Sequence, residues 1–301
     1  MKNKLVIVTG ASSGIGRACA EKFAQEGANL VLAARSADKL NEVAENIARY
    51  GVQVLPVVTD VTREEDCKNL VEKALIKFGK IDVLVNNAGI SMRASFSDLD
   101  ISVLKKVMDV NFWGTVYCTR YAITSLLENK GSVVGVSSIA GYKGLPGRTG
   151  YSSSKFAMHG FFEALRIENI KKGLHVLIAC PGFTASNIRN TALAADGSSQ
   201  GETPRDEQKM MQPEEVAMRI VSAVKYMHAK YVFHRDIKPE NIVLSSEGKL
   251  TILDFGIAKV VEQGDYKETL TKTGQIVGSP RYMSPEQAGG ETVDGRTDIY
   301  S

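Results

Sequence analysis

The sequence predicts an α/β fold with a doubly wound parallel sheet, and three observations support this prediction. Short apolar runs alternate with helical patterns up to about residue 182, as in βαβ units whose strands run parallel. A glycine-rich turn follows the first apolar run, and such sheets bind ligands at the carboxyl ends of their strands. The chain has 301 residues, 44% hydrophobic and 24% charged, which fits one large or two ordinary globular domains.

The elements follow from these patterns in chain order. The predicted strands are Leu5–Val8, Asn29–Ala33, Gln53–Val58, Val83–Val85, Ser132–Val136 and His175–Ala179. The predicted helices between them include Gly14–Glu26, Ala37–Tyr50, Arg63–Phe78 and Ser152–Lys172. Residues 184–212 are polar with a Gly/Ser/Pro-rich middle, which predicts a mobile surface loop. A helix is expected to resume with Pro213 at its first position and two glutamates in its first turn.

Composition excludes several classes of function. The 37 basic and 34 acidic residues give a net charge of +3 without a dense basic face, so neither a nucleic acid nor a membrane surface is an expected partner. The four cysteines are far apart and form no CxxC pair, so we expect no metal site, no disulfide framework and a reducing compartment. The first apolar run is too short for a signal sequence, and we expect a cytoplasmic protein.

The glycine-rich turn predicts a dinucleotide site. Its residues Gly10, Ser12, Ser13, Gly14, Ile15 and Gly16 lie between the first strand and the first helix. Glycines there let the backbone approach a pyrophosphate at the helix N-terminus. An NAD site wants a carboxylate at the end of the second strand, whereas a basic residue suits a 2′-phosphate. Arg35 stands there with no acidic neighbour among Ala33–Ser36, which favours NADP over NAD; alternatively, Arg35 is a solvated surface residue.

A second group of residues predicts proton transfer. Tyr151 and Lys155 are four residues apart on one helix face, Ser138 follows the fifth strand, and Asn111 lies at a break in a helical pattern. A tyrosine with a pKa near 10 is a poor base, so an adjacent ammonium is expected to lower its pKa by roughly 1–3 units. Ser138 could then bind a substrate oxygen on which charge develops.

Up to about residue 223, the chain resembles the classical short-chain dehydrogenase/reductases. The matching motifs are TGASSGIG at 9–16, Asp60-Val61, Asn86-Asn87-Ala88-Gly89, Asn111, Ser138, Tyr-Ser-Ser-Ser-Lys at 151–155 and Pro181-Gly182. The resemblance implies a Rossmann-like sheet and hydride transfer between a nicotinamide and a ketone or secondary alcohol.

The resemblance also implies a role for each matching residue. Tyr151 is the implied acid/base, Ser138 positions the oxygen, Lys155 lowers the tyrosine pKa and holds the nicotinamide ribose, and Asn111 supports a proton relay. The implied cofactor contacts elsewhere are Asp60 and Val61 at the adenine, Asn87, Ala88 and Gly89 beside the central strand, and Pro181, Gly182 and Thr184 at the nicotinamide. Members that prefer NADP often carry a basic residue before Gly14, where this chain has Ser13.

The substrate pocket and the assembly are less closely specified. The segment 90–97 and the loop 184–212 are expected to shape the pocket. Met92, Phe96, Leu145 and Phe183 would favour an apolar ketone or alcohol. The family often forms homodimers or homotetramers through helices at 111–129 and 152–172.

From about residue 225 the chain resembles the C-lobe of a serine/threonine protein kinase. The motifs are His234-Arg235-Asp236-Ile237-Lys238-Pro239-Glu240-Asn241, Asp254-Phe255-Gly256, Gly278–Glu286 and Asp298–Ser301. The resemblance implies Asp236 as a catalytic base, Lys238 beside the phosphate, and Asn241 and Asp254 as magnesium ligands. Thr269, Thr271 and Thr273 are implied phosphorylation sites. The chain shows no kinase glycine-rich loop, no strand lysine and no paired helix glutamate, so we expect no kinase activity.

The sequence therefore predicts two segments, a dehydrogenase at 1–223 that lacks its last strand and an incomplete kinase fragment at 224–301. The strand-like residues Lys230–His234 could replace the missing strand. The junction suggests a fusion of unrelated fragments, whether constructed, natural or a gene-model error. Three alternatives remain: an oxidoreductase, an ATP-binding or phosphotransferase protein, and a fusion that misfolds.

Overall fold

The computed structural model describes residues 1–201 and 210–229, together with the backbone of four short segments, 231–233, 242–244, 250–252 and 259–261. The chain divides into two compact units, Met1–Val224 and Lys225–Ser301. No helix in the described ranges is long and apolar enough to cross a membrane.

The first unit contains a six-stranded parallel sheet, which confirms the predicted fold class. Its strands are β1 (Leu5–Thr9), β2 (Asn29–Ala34), β3 (Val54–Val58), β4 (Val83–Asn86), β5 (Ser132–Val136) and β6 (His175–Ala179). Their order across the sheet is β3-β2-β1-β4-β5-β6. The order reverses between β1 and β4, so the two halves of the sheet diverge there and leave a crevice at the carboxyl ends of the strands.

Helices cover the sheet. They are α1 (Gly14–Gln25), α2 (Ala37–Ala48), α3 (Glu64–Phe78), α4 (Ile101–Met108), α5 (Gly114–Glu128), α6 (Thr149–Asn169) and α7 (Pro213–Ala229). The central strands β1, β4 and β5 are buried along their whole length, as expected for parallel strands with helices on both faces. This explains why these strands are continuous apolar runs in the sequence and not alternating ones.

The segment after β6 packs against the rest of the first unit in part of its described ranges, 184–201 and 210–212, and is not wholly a surface loop. Leu193 is 8% exposed, and its amide and carbonyl form hydrogen bonds of 2.9 Å with Ser91 O and Arg93 N. Ala192 is also buried. The two apolar residues bring this polar segment against residues 91–93. The segment's polar composition gives no indication of this contact. Residues 202–209 lie outside the described ranges.

The described segments of the second unit form two antiparallel strand pairs. Strand β7 (Tyr231–Phe233) pairs with β10 (Lys259–Val261), and β8 (Ile242–Leu244) pairs with β9 (Leu250–Ile252). The described residues of the strand-like segment Lys230–His234, Tyr231–Phe233, therefore do not extend the dehydrogenase sheet as expected. Its strand-like residues instead find a partner within their own unit.

Candidate active site

The glycine turn between β1 and α1 has the geometry that a pyrophosphate site needs. Gly10 and Gly14 have φ angles of 64° and 53°, a region that favours glycine. A Cβ on Gly16 would lie 2.2 Å from the Gly10 carbonyl oxygen, and one on Gly10 would lie 2.8 Å from Asn87 Nδ2. Helix α1 begins at Gly14 with Ser13 as its N-cap, so its free amides face the turn. These residues fit a dinucleotide.

A hydrogen-bond network fixes this turn against the end of β4. Thr9 Oγ1 accepts the backbone amides of Asn87 and Ala88, both at 3.0 Å. Asn87 Nδ2 donates to the carbonyl oxygens of Thr9 and Gly10 at 3.0 and 3.2 Å. The two loops on either side of the crevice therefore hold one another in place.

The residues assigned to the adenine end lie after β2 and β3. Arg35 directly follows β2 and is exposed. Asp60 Oδ1 accepts hydrogen bonds from the Thr62 amide and hydroxyl at 3.0 and 2.8 Å. Val61 is 8% exposed and lies under Gly114, where a Cβ would approach it to 2.7 Å. Val61 therefore packs the loop against the start of α5.

Asn111 lies in a π-helical turn, Asp109–Trp113, that joins α4 to α5. Such turns often mark functional sites. The side chain is fully buried, and its Oδ1 accepts the Ile90 amide at 2.8 Å. Its Nδ2 donates to Ile90 O at 3.0 Å and to Ser154 Oγ at 2.9 Å. The predicted break in the helical pattern is thus a real change of helix geometry that turns Asn111 inward.

Ser138, Tyr151 and Lys155 line one pocket. Ser138 follows β5, where its Oγ accepts the Ala140 amide at 3.2 Å. Tyr151 and Lys155 lie one turn apart on α6, and the Lys155 ammonium is 5.8 Å from the centre of the Tyr151 ring. Lys155 is 4% exposed, and its Nζ donates to Val136 O at 2.8 Å.

Burial is the largest cause of the pKa shifts of Tyr151 and Lys155. Burial raises the pKa of Tyr151 above its usual value, although a hydrogen bond with Ser138 and the positive charge of Arg148 act to lower it. Burial also lowers the pKa of Lys155 to about 8. The cost of burying a phenolate exceeds the attraction of Arg148, the cation named here as lowering this pKa, so the expected effect of Lys155 on Tyr151 stays a prediction.

The loop after β6 closes the pocket. Thr184 is 6% exposed, and its Oγ1 donates to the Gly182 carbonyl at 3.2 Å. Pro181, Gly182 and Thr184 all line the pocket. Beside them Gly89 leaves a polar space, since its absent Cβ would lie 3.3 Å from Asn111 Oδ1 and 3.8 Å from Lys155 Nζ.

The pocket has a volume of about 370 Å³. The site residues predicted from the sequence that line it are Ile15, Asn87, Gly89, Ser138, Tyr151, Lys155, Pro181, Gly182 and Thr184. The others lie outside its lining: Gly10, Ser12, Ser13, Gly14, Gly16, Arg35, Asp60, Val61, Ala88 and Asn111. In the described ranges, no cluster of His, Cys, Asp and Glu side chains could hold a metal ion.

Sequence reasoning missed Arg148 of the pocket lining, and it did not single out Arg93 and Arg189, which lie in the segments 90–97 and 184–212 expected to shape the pocket. It also assigned the pocket too many apolar side chains. Leu145 and Phe183 line the pocket, but Met92 is fully buried against Leu99 and Val103, and Phe96 is not among the lining residues. The one available signal was the position of Arg148, three residues before Tyr151.

Comparison with known proteins assigns the fold to a family. A profile of the short chain dehydrogenase family matches residues 4–196. The chain belongs to the short-chain dehydrogenase family. The dehydrogenase is 38% identical over 229 residues to the dehydrogenase/reductase SDR family protein 7-like of Dictyostelium discoideum, which covers 74% of this chain and 71% of the relative.

Solved structures agree with this assignment. An alcohol dehydrogenase from the archaeon Thermococcus sibiricus, complexed with 5-hydroxy-NADP, has a TM-score of 0.67 and 27% identity, and the match covers 74% of the chain described here and 90% of the archaeal one. A Caenorhabditis elegans short-chain dehydrogenase/reductase of unknown function, solved with cofactor, has a TM-score of 0.67 and 32% identity, covering 74% and 88%. The family makes the dehydrogenase an oxidoreductase that uses a nicotinamide cofactor.

A second profile, of the protein kinase domain, matches residues 196–301. The two matches confirm that the chain resembles two unrelated families in succession. Asp236, Lys238, Asn241 and Asp254, with the implied phosphorylation sites, lie outside the described residues.

Proposed function

We propose that the protein is an NADP(H)-dependent oxidoreductase that acts on a ketone or secondary alcohol through Ser138, Tyr151 and Lys155. The observation that carries the proposal is the convergence of these three side chains on one pocket, next to a turn whose positive φ angles and close backbone packing require glycine. A bound nicotinamide dinucleotide supplies or accepts the hydride.

In this proposal the protein's own side chains move the proton. Ser138 hydrogen-bonds the reacting oxygen, and the Tyr151 phenol donates a proton to it during reduction. The raised pKa of Tyr151 keeps the phenol protonated at neutral pH, which suits a general acid. Lys155, whose pKa of about 8 keeps it mostly charged at neutral pH, stabilises the phenolate left behind.

Asn111 is proposed to support proton exchange with solvent. Its Oδ1 and the Lys155 ammonium both border the space that the Gly89 side chain leaves open, and Asn87 O lies 3.7 Å from the same point. These polar atoms suit a water-mediated relay that returns a proton to Tyr151.

The proposed cofactor is NADP in preference to NAD. Arg35 is exposed directly after β2, where a guanidinium matches a 2′-phosphate, and no carboxylate lies among residues 33–36. The protein should bind NADPH more tightly than NADH, and Arg35→Asp should remove this preference. Equal affinities in the unmodified protein would refute the cofactor assignment.

Turnover measurements test the reaction. NADPH fluorescence should rise on mixing with the full chain, and NADPH absorbance should fall when a panel of ketones is added. Tyr151→Phe should abolish turnover and retain NADPH binding, because only the proton donor is removed. Retained turnover in this variant would contradict the role of Tyr151.

The second segment is proposed to be a fragment without kinase activity, in a chimeric chain. Phosphoryl transfer requires several positioned groups at once, and the chain lacks the sequence motifs of the nucleotide lobe. Asp236→Ala should leave both NADPH binding and turnover unchanged. Magnesium-dependent ATP binding that requires Asp254 would instead favour the phosphotransferase alternative.

We also propose that the chain forms a homodimer or a homotetramer and that it resides in a reducing compartment. Trp113, Phe156 and Ile167 are 44%, 46% and 48% exposed on the elements 109–128 and α6, and apolar side chains of this size favour burial between subunits. The four cysteines are free thiols. Sedimentation of the full chain should show a species larger than a monomer.

A further inference from the structure

The pocket is strongly cationic. Its lining includes three arginines and Lys155, and none of the described lining residues is an aspartate or a glutamate. An apolar ketone would gain little from such a lining, because the charged groups would have to lose water without gaining a partner.

Arg148 is the cation whose contacts leave it most available to bind a substrate. Its side chain is half-buried, and its guanidinium donates a hydrogen bond to the hydroxyl of Ser91, which is 3% exposed. In the described part of the chain, Arg148 makes no ion pair with a carboxylate. A guanidinium has five N–H donors in a rigid fork, so one bond to a neutral hydroxyl leaves most of its capacity available.

The position of Arg148 is set by the loops that border the substrate side of the pocket. The Ala94 amide donates to Gly147 O at 3.0 Å, and this bond holds the Arg148 loop against the segment 90–97. Gln200 Nε2 donates to Arg93 O at 2.6 Å, which ties the segment after β6 to the same place. Ser91, Arg93, Arg148 and Gln200 all line the pocket.

The cofactor's phosphates do not account for Arg148. The glycine turn and Arg35 already provide for a pyrophosphate and a 2′-phosphate, and neither contacts the Arg148 loop in the hydrogen bonds of the site. Arg189 differs, because its guanidinium donates to Thr184 O at 3.0 Å and to Met210 Sδ on the cofactor side.

Arg148 also acts on the acid/base residue. Its positive charge lowers the pKa of Tyr151, three residues further along the chain. Both residues line the same pocket, so an anionic group bound by Arg148 would lie in the same pocket as the reacting oxygen that Tyr151 protonates.

We propose that the substrate is a ketone or secondary alcohol that also carries an oxyanion, a carboxylate or a phosphate, and that Arg148 binds this oxyanion. The inference rests on the proposed function and adds the substrate class. A guanidinium fork binds either oxyanion through paired, charge-assisted hydrogen bonds. Arg148 is then the residue that determines specificity for charge.

Matched pairs of probes test this inference. The full chain is assayed with NADPH and with 2-oxopentanoate, 4-oxopentanoate or dihydroxyacetone phosphate. The uncharged counterparts are the two amides and dihydroxyacetone. At least one anion should show a kcat/KM higher than its neutral counterpart by about 10- to 100-fold, the range for a hydrogen bond to a charged group. The probe that gains most distinguishes a carboxylate from a phosphate.

Variants connect the preference to Arg148. Arg148→Gln should lower the ratio of kcat/KM for the preferred anion to kcat/KM for its neutral counterpart by about 10- to 100-fold, a ratio that cancels any effect on Tyr151 common to both substrates. Arg148→Lys, which keeps the charge and loses the fork, should restore part of the loss. Arg120→Gln, an exposed arginine on α5 outside the pocket lining, should change neither. Added salt should raise KM for the anion alone.

Binding measurements separate this inference from the proposed function. Calorimetry on the Tyr151→Phe protein saturated with NADPH measures probe affinity without turnover. Anions and neutral counterparts that bind equally, or an anion preference that survives in Arg148→Gln, would overturn the inference and leave the oxidoreductase standing. Failure of the unmodified protein to bind NADPH would overturn both.

Discussion

Replacing the buried Lys155 by methionine should stabilise the dehydrogenase while it abolishes turnover. Burial lowers the pKa of Lys155 from 10.5 to about 8, which at about 1.36 kcal/mol per pKa unit is a cost of about 3 kcal/mol at neutral pH. Methionine removes this cost but loses the 2.8 Å hydrogen bond to Val136 O, worth about 1–2 kcal/mol. The net expectation is a gain of about 1–2 kcal/mol.

The pH dependence gives this prediction a second signature. Between pH 8 and pH 10.5 the unfolded chain holds a proton on Lys155 that the folded protein has released. Lys155 should therefore contribute a rise in the free energy of unfolding across this window, measured as the difference between the unmodified protein and Lys155→Met, because buried thiols such as Cys19 titrate with the opposite sign in both proteins. The advantage of Lys155→Met should be full below pH 8 and should reverse at high pH, where only the lost hydrogen bond to Val136 O remains.

Urea denaturation of the full chain measures both effects. The chain has a single tryptophan, Trp113, in the π-helical turn of the first unit, so its fluorescence reports the unfolding of that unit alone. Lys105→Met, at an exposed position of α4, is the matched control. A Lys155→Met protein that is less stable than the unmodified one at neutral pH, with the same slope against pH, would refute the reasoning.

Two further predictions use the same denaturation assay. Gly16→Ala places a Cβ 2.2 Å from Gly10 O, so it should abolish NADPH binding and destabilise the fold. The control Gly160→Ala meets no atom within 4 Å and should stabilise α6 by about 0.5–1 kcal/mol. Normal NADPH binding by Gly16→Ala would contradict the role of the turn. Burial favours a higher pKa for Asp82, but hydrogen bonds from groups that include Lys4 leave this pKa below 3.8. Asp82→Asn should therefore lower the free energy of unfolding by about 1.5–3 kcal/mol, a stabilisation that is present above pH 3.8 and is lost as the pH falls through the folded pKa. An unchanged urea midpoint at neutral pH would show that the ion pair contributes nothing.

The strands were predictable because their burial leaves a direct trace in the sequence. β1, β4 and β5 are covered on both faces, so they must be apolar throughout, and the glycines of the turn must be small because backbone and side-chain atoms occupy the positions of their Cβ atoms. Each of these constraints acts on consecutive residues. A pattern of that kind can be recognised without the fold.

The electrostatics of the site were not predictable, because they depend on which distant segments meet. Arg148 contacts Ser91 across 57 residues of sequence, and Leu193 returns to the same segment. Met92, expected to line the pocket, is instead fully buried with Leu99. The Tyr151 pKa depends on burial and on Arg148, whereas helical spacing points only to Lys155.

The ionisation of the Tyr151 phenol tests the central claim most directly. Near-ultraviolet difference absorbance between the unmodified protein and Tyr151→Phe, recorded against pH, gives the pKa of this one side chain. Without cofactor the pKa should lie above 10.0, because burial dominates. With NADP⁺ bound, the positive nicotinamide beside the phenol should lower it by about 1–3 units. A pKa that NADP⁺ leaves unchanged would contradict the account of Tyr151 as the acid/base of a nicotinamide-dependent reaction.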